Sequence, residues 1–265
     1  MYHITSKLLE QIYFSTFPNK SGRPLTFPIT HYINVFSFVL KTGIAWRDLI
    51  VPLNWSTYYK MFNKWCKRGI FKLLHQSILS IALKNNLINS NSLKNLFIDS
   101  TMIKNFKDID LLGKNHYDRN RLGNKITLIV SSNGIPLSIS LTTANHNDTT
   151  QVIPAIQNIP IKIIRPKLIA DGGYVSNSLK TTLKKTFNIN FIYPYRKNQL
   201  QKNTTSQSTL LKQRYIVENV FSWIQNYRRI RIRYDKYSST YLQFYYFAIS
   251  QVIDRKLNNI KNLIF

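Results

Sequence analysis

Acidic residues are scarce in this 265-residue chain, where 11 Asp and Glu stand against 37 Lys and Arg and leave a formal charge of +26. So large a surplus repels itself in a compact fold unless a polyanion shares the surface, which makes nucleic acid the first partner to consider. Cys66 is the only cysteine. One thiol excludes an internal disulfide and any cysteine-based zinc site, and it fits a reducing compartment. Long apolar runs are missing too: "INVFSFVLKTG" meets Lys41 well short of the roughly 18 residues that a membrane span needs. The first residues, "MYHITSKLLEQ", lack the charged-then-apolar form of a signal peptide. These absences predict a soluble, cytoplasmic, nucleoid-associated protein with no membrane partner. What the chain does have is 44% apolar and 13% aromatic residues, enough for a true core and too many for a disordered basic tail.

The first third reads as helices. "SKLLEQIYFSTF" is followed by the polar break "PNKSGRPLTFP", and "THYINVFSFVLKTG" runs from Thr30, a residue able to cap, to Gly43. "NWSTYYKMFNKWCKRG" has Ser56 as a possible cap, Tyr59, Phe62 and Cys66 at helical spacing, and Gly69 at its end; "IFKLLHQSILSIALKN" continues as a further helix. Helices on both sides of "IAWRDLIVPL" suit a helix-turn-helix-like unit over residues 1–90, and a plain helical bundle explains the same pattern equally well. The Asn- and Ser-rich stretch "KNNLINSNSLKN" marks a domain edge. Beyond it the periodicity turns strand-like: "LKNLFID", "NKITLIVSS", "PLSISLTTA", "KLIAD" and "INFIYPY" predict five strands in a domain spanning residues 95–265. The Asn133-Gly134 pair favours a tight hairpin. "TTQVIPAIQNIP" reads as a helix carrying Pro154, and "RKNQLQKNTTSQSTLLKQ" reads as a polar loop.

Eleven carboxylates are few enough to sort individually. Glu10, Asp48, Asp108, Asp110, Asp118, Asp148, Asp235 and Asp254 lie in polar or basic surroundings, where a solvated or capping role suffices. Asp99 and Asp171 instead end apolar strands, and Glu218 sits inside the amphipathic segment "IVENVFSWI". Each has a bland explanation: a turn cap for Asp99, an Asx-turn before Gly172-Gly173 for Asp171, a helical ion pair with Arg214 for Glu218. Gathered together they mean something else. Like charges about 4 Å apart repel by roughly 4 kcal/mol at an effective dielectric near 20, so three such groups take up protons or hold cations. Mg²⁺ suits them, because it prefers hard oxygen ligands and shares its shell with phosphates. Two ions, Mg²⁺ or Mn²⁺ in substitution, would serve an in-line displacement at phosphorus.

Over nearly its whole length the chain resembles the DDE transposases of bacterial insertion sequences. The resemblance rests on "TGIAWRDL" with the Trp-Ser-Thr helix after it, on "IDST", "GNKITLIVSSNGIPLSISLTTANHND" and "LIADGGY", and on "RYIVENVFSWIQNYRRIRIRYDK". It implies a mixed α/β fold: a helical DNA-binding domain, then a ribonuclease H-like core with a mixed five-stranded sheet flanked by helices. It also implies that Asp99, Asp171 and Glu218 form the catalytic, metal-binding triad. The partners implied are terminal inverted repeats and target DNA, bound by a homodimer or larger assembly. The family's glutamate motif has Tyr and Lys where this chain has Leu211 and Gln225, while Arg214 and Glu218 are kept. In "RRIRIRY", Arg229, Arg231 and Arg233 alternate with isoleucines as in a strand or irregular ribbon, and with Arg214, Arg228 and Lys236 they are the expected DNA contacts. His146 and Asp148 in "ANHND" read as a structural polar turn or as neighbours of the triad. The alternative functions are an inactive remnant or host nuclease of the same fold, or a non-catalytic basic nucleic-acid-binding protein.

Overall fold

The computed structural model describes residues 3–18, 24–106, 110–115, 119–195 and 202–264. Its helices are α1 (His3–Thr16), α2 (Ile29–Thr42), α3 (Trp55–Lys67), α4 (Ile70–Lys84), α5 (Asp148–Gln157), α6 (Asn177–Phe187), α7 (Thr205–Lys212), α8 (Tyr215–Gln225), α9 (Arg228–Arg231) and α10 (Ser238–Ile264). Its strands are β1 (Asn95–Asn105), β2 (Gly113–Asn115), β3 (Arg121–Ser131), β4 (Pro136–Thr143), β5 (Lys167–Ile169), β6 (Asn190–Ile192) and β7 (Ile232–Arg233). They form two compact units. One comprises residues 1–84, 104–110 and 223–265, the other residues 85–103 and 111–222. The edge at residues 84 and 85 falls in the Asn- and Ser-rich stretch, but the C-terminal segment belongs with the N-terminal helices rather than with the strands.

Aromatic packing explains that grouping. Phe62 of α3 stacks on Phe244 of α10 with ring centroids 4.3 Å apart, and Phe71 of α4 meets Phe247 at 4.9 Å. Phe36 and Trp65, both fully buried, close the cluster edge to face at 5.2 Å. Each large ring removes enough apolar surface from water to outweigh the cost of ordering it, so α10 completes a core that α1 to α4 leave open. Gly43 ends α2 at φ +70°, its amide bonded to the Val39 carbonyl. A side chain there would be strained by that φ and would press on Cβ of Arg228 at 3.1 Å.

Among the described residues the sheet has seven strands, two more than the five expected: β1 lies between β3 and β5 on the path β2-β3-β1-β5-β6, and β4 pairs with β3. β4 runs antiparallel to β3, whereas β5 is parallel to both β1 and β6. β2 pairs with the first residues of β3, and β7 pairs with Lys104 and Asn105 at the end of β1. The β3–β4 hairpin turns at Gly134, φ +70°, whose amide bonds back to the Ser131 carbonyl. Strand residues 126–130 are buried throughout, so β3 is covered on both faces.

Several local expectations need correction. α2 begins after Pro28 with no side-chain cap, so Thr30 does not cap it; α3 is capped by Asn54, whose side chain accepts from the Ser56 amide. Along α3 the buried positions are Tyr58, Phe62 and Trp65. Residues 205–212 of the expected loop are helix α7, started by a capping box between Thr204 and Gln207; residues 196–201 of that stretch lie outside the described residues. The "RRIRIRY" run is a short helix followed by a two-residue strand rather than one alternating ribbon. Among the described residues no helix is long and apolar enough to cross a membrane.

Candidate active site

Asp99 lies midway along β1 and Asp171 just past β5, the parallel neighbour of β1. Adjacent parallel strands deliver both carboxylates to the same end of the sheet, the usual place for a site in an open α/β fold. Glu218 comes from the first turn of α8. The three meet around one cation: an Arg214 Nη lies 3.6 Å from Asp99, 3.9 Å from Asp171 and 4.0 Å from Glu218. The expected helical pair of Arg214 and Glu218 therefore exists, and Arg214 shares itself with the two aspartates as well.

These contacts are too long for hydrogen bonds, and Arg214 Nε is buried with no hydrogen-bond partner among the described residues. The guanidinium balances charge without good directional bonding. Asp99 accepts from the Ser100 amide at 2.8 Å, and Asp171 accepts from the Gly173 amide at 2.8 Å. Burial pushes the Asp99 carboxyl up to about 6; the Ser100 amide and Arg214 pull it down, while Asp171 and Glu218 push it further up.

A hard divalent cation fits this donor set. Three carboxylates converge on a point that already attracts a positive group, and no soft ligand intrudes. Among the described residues no three His, Cys, Asp or Glu are close enough together to hold an ion as they stand. The carboxylates are held apart around a guanidinium, with Asp99 20% and Glu218 59% exposed at the side chain.

Behind the triad lies a polar layer that the sequence did not single out. Ser100 Oγ is 2.9 Å from Thr127 Oγ1 and 2.6 Å from the Tyr174 hydroxyl, joining β1, β3 and the turn after Asp171. Lys125 on β3 is buried, pairs with Asp148 at 2.9 Å and donates to the His146 carbonyl at 2.7 Å. Asp148 thus has a buried partner, and a Cβ added at Gly173 would lie 3.8 Å from its Oδ2 and 3.1 Å from Asp171 Oδ1. The first distance is ordinary contact, and the second would ask the Asp171 carboxylate to give by a few tenths of an ångström. A lysine inside the strand "NKITLIV" was the available signal, since a buried ammonium needs a carboxylate.

Two further carboxylates, for which the sequence allowed a solvated or capping role, are buried. Asp235 forms a two-bonded ion pair with Arg229, and Asp254 accepts from the Thr5 amide at 2.8 Å. Asp108 and Asp118 lie outside the described residues. The expected DNA contacts divide in the same way. Arg228, Arg231 and Lys236 are exposed, but Arg229 and Arg233 are buried. Arg233 binds Asp110 and the carbonyls of Asp110, Asp235 and Lys236, so both buried arginines are committed within the fold and present no face to a phosphate. Arg229 is therefore not available to stand in for the lysine missing at Gln225.

A mixed sheet of this order, with two aspartates at one end and a glutamate from α8 near them, has the form of a ribonuclease H-like core. Residues 92–253 match the Transposase DDE domain, and the chain belongs to that family. A protein of Burkholderia cepacia ascribed to insertion sequence element IS402 as its transposase is 35% identical over 132 residues, 47% of this chain and 59% of that protein. The match thus spans less than two thirds of that relative. The piggyBac transposase in its synaptic complex with hairpin DNA aligns over 97% of this chain and 73% of its own, with a TM-score of 0.54 and 10% identity. At that identity the likeness is one of fold.

Proposed function

We propose that the protein is a DDE transposase that binds the terminal inverted repeats of an insertion sequence, cleaves the phosphodiester at its ends and joins them to target DNA. The observation that carries this reading is the convergence of Asp99, Asp171 and Glu218 on one cation in a chain of charge +26. Two divalent cations of the magnesium class, when bound, would neutralise the scissile phosphate and activate the attacking and leaving oxygens. The chain's own part is positional. Asp99 and Asp171 are fixed by backbone amides, and Glu218 closes the site from α8. Arg214, released from the carboxylates, is placed to meet a phosphate of the bound strand. Water attacks first and frees a 3′-hydroxyl, which then attacks target DNA in the same geometry. Both steps are in-line displacements, so one site serves both.

Recognition of the ends is assigned to the helices within residues 1–90, and phosphate contacts to Arg228, Arg231 and Lys236. Holding two ends together calls for two copies, so a homodimer or larger assembly on DNA belongs to the proposal. The test is cleavage of terminal-repeat DNA with Mg²⁺. Asp99→Asn, Asp171→Asn and Glu218→Gln should each abolish it while DNA binding persists. A rate within about tenfold of wild type, roughly 1.4 kcal/mol of barrier, would remove that residue from the triad. Equal cleavage of random duplex would identify a nuclease instead.

A further inference from the structure

A second concave site lies wholly within the helical unit, in a part of the fold that the triad does not use. It is a cavity of 660 Å³ bounded by the "GIAWR" turn, the start of α3 and residues 234–236. That volume falls inside the range of about 300–1,000 Å³ typical of ligand pockets. Its walls are aromatic: Trp46, Trp55, Tyr59 and Tyr234. Its charge is positive. Arg47 and Lys236 line it, and among the described residues neither faces a carboxylate at salt-bridge distance, whereas the lining Asp235 is neutralised by Arg229.

The aromatic surface continues outside the cavity. Tyr234 stacks on Phe106 with centroids 5.5 Å apart and planes 9° from parallel, and the two rings are 47% and 59% exposed. Arg47 lies over the Trp55 ring at 5.7 Å. Two stacked rings left in water beside an aromatic pocket are costly to the free protein, and they suit a flat partner. A phosphate alone would use the cations and leave the rings idle. A paired base in duplex DNA offers its edge, since its faces are covered by its neighbours. An unpaired base offers a whole face to an aromatic wall and brings a phosphate to the cations, the combination that single-strand binders use.

We propose that this pocket receives one unpaired nucleobase of the bound DNA, stacked on Tyr234 and Trp55, with its flanking phosphate held by Arg47 and Lys236. The proposal rests on the reading of the protein as DNA-binding. The test uses the full-length protein and three short duplexes: one with a single extrahelical 2-aminopurine, one with an abasic residue at that position, and one fully paired. Wild type should bind the first about tenfold more tightly than the second and quench its fluorescence. Tyr234→Ala or Trp55→Ala should erase preference and quenching, and Tyr234→Ala, outside the helices assigned to end recognition, should hold affinity for the paired duplex within about twofold. Tyr234→Phe should keep both, because stacking needs the ring and not the hydroxyl. Equal wild-type affinity for the base and abasic bulges would overturn the pocket and leave the DNA reading intact. So would a preference that survives both alanine variants. If none of the three duplexes binds at low salt, both ideas fall.

Discussion

Arg214 occupies the point where three carboxylates converge, and the state of Asp99 depends on what stands there. The folded-state value of Asp99 is about 6 against an ordinary 3.8, chiefly because burial disfavours the anion. The folded protein therefore holds this proton more tightly than the unfolded chain does. The resulting stabilisation is full below about pH 4 and is lost as pH rises through about 6. In EDTA, wild type should lose about 1–3 kcal/mol relative to Asp99→Asn between pH 5 and pH 8. Thermal melts of both proteins across that range measure it, and parallel pH profiles would contradict the burial argument. Protons and a divalent cation compete for the same oxygens, so cation affinity should rise over the same interval.

Around α9 and β7, five basic residues in nine positions divide between two uses. Arg229 donates from Nε at 3.2 Å and Nη at 2.8 Å to Asp235, and its guanidinium lies 5.4 Å from the Phe244 ring centre. The ion pair ties α9 to the segment after β7, and the ring contact ties it to α10. Removing one partner of a buried ion pair costs about 3–5 kcal/mol, because the other charge is left unpaired. Arg229→Ala should lower stability by that amount in urea denaturation. Arg231→Ala, at an exposed position, should leave stability within about 0.5 kcal/mol. Its effect belongs to DNA binding, where loss of one phosphate contact reduces the salt slope by about 0.9. The reverse pattern, a stable Arg229→Ala protein and an unfolded Arg231→Ala protein, would mean that the assignment of the two side chains is inverted.

At the scale of the whole molecule the surplus charge is the dominant property. If the exposed cations meet phosphates, log K for duplex DNA should fall linearly with log salt, with a slope of about 0.9 per phosphate neutralised. Titrations between low and moderate salt should show affinity falling by at least about tenfold. A flat dependence would remove nucleic acid as the partner of this charge. The helical unit is built from both ends of the chain, and α10 supplies Phe244 and Phe247 to its core. Residues 1–84 alone therefore lack part of their packing. Phe244→Ala should destabilise that unit by about 3–5 kcal/mol, read as an early transition in denaturation of the full chain.

The sequence by itself determined the class of fold and singled out the three carboxylates. Strand periodicity is local, an Asp closing an apolar run is visible in one dimension, and a chain with 11 acidic residues makes each one conspicuous. Gly43, Gly134 and the five core strands were legible for the same reason: turn geometry and alternation are properties of neighbours along the chain. Tertiary structure alone decided which charges are used inside the fold. Arg229 and Arg233 look no different from Arg228 and Arg231 in the sequence, because the partners that bury them are set by packing. Asp254 bonds an amide 249 residues away. Lys125 is a strand residue until Asp148 is brought beside it. The grouping of α10 with the N-terminal helices was equally hidden, since the burial of one aromatic face against another depends on contacts between distant segments, and these leave no local pattern.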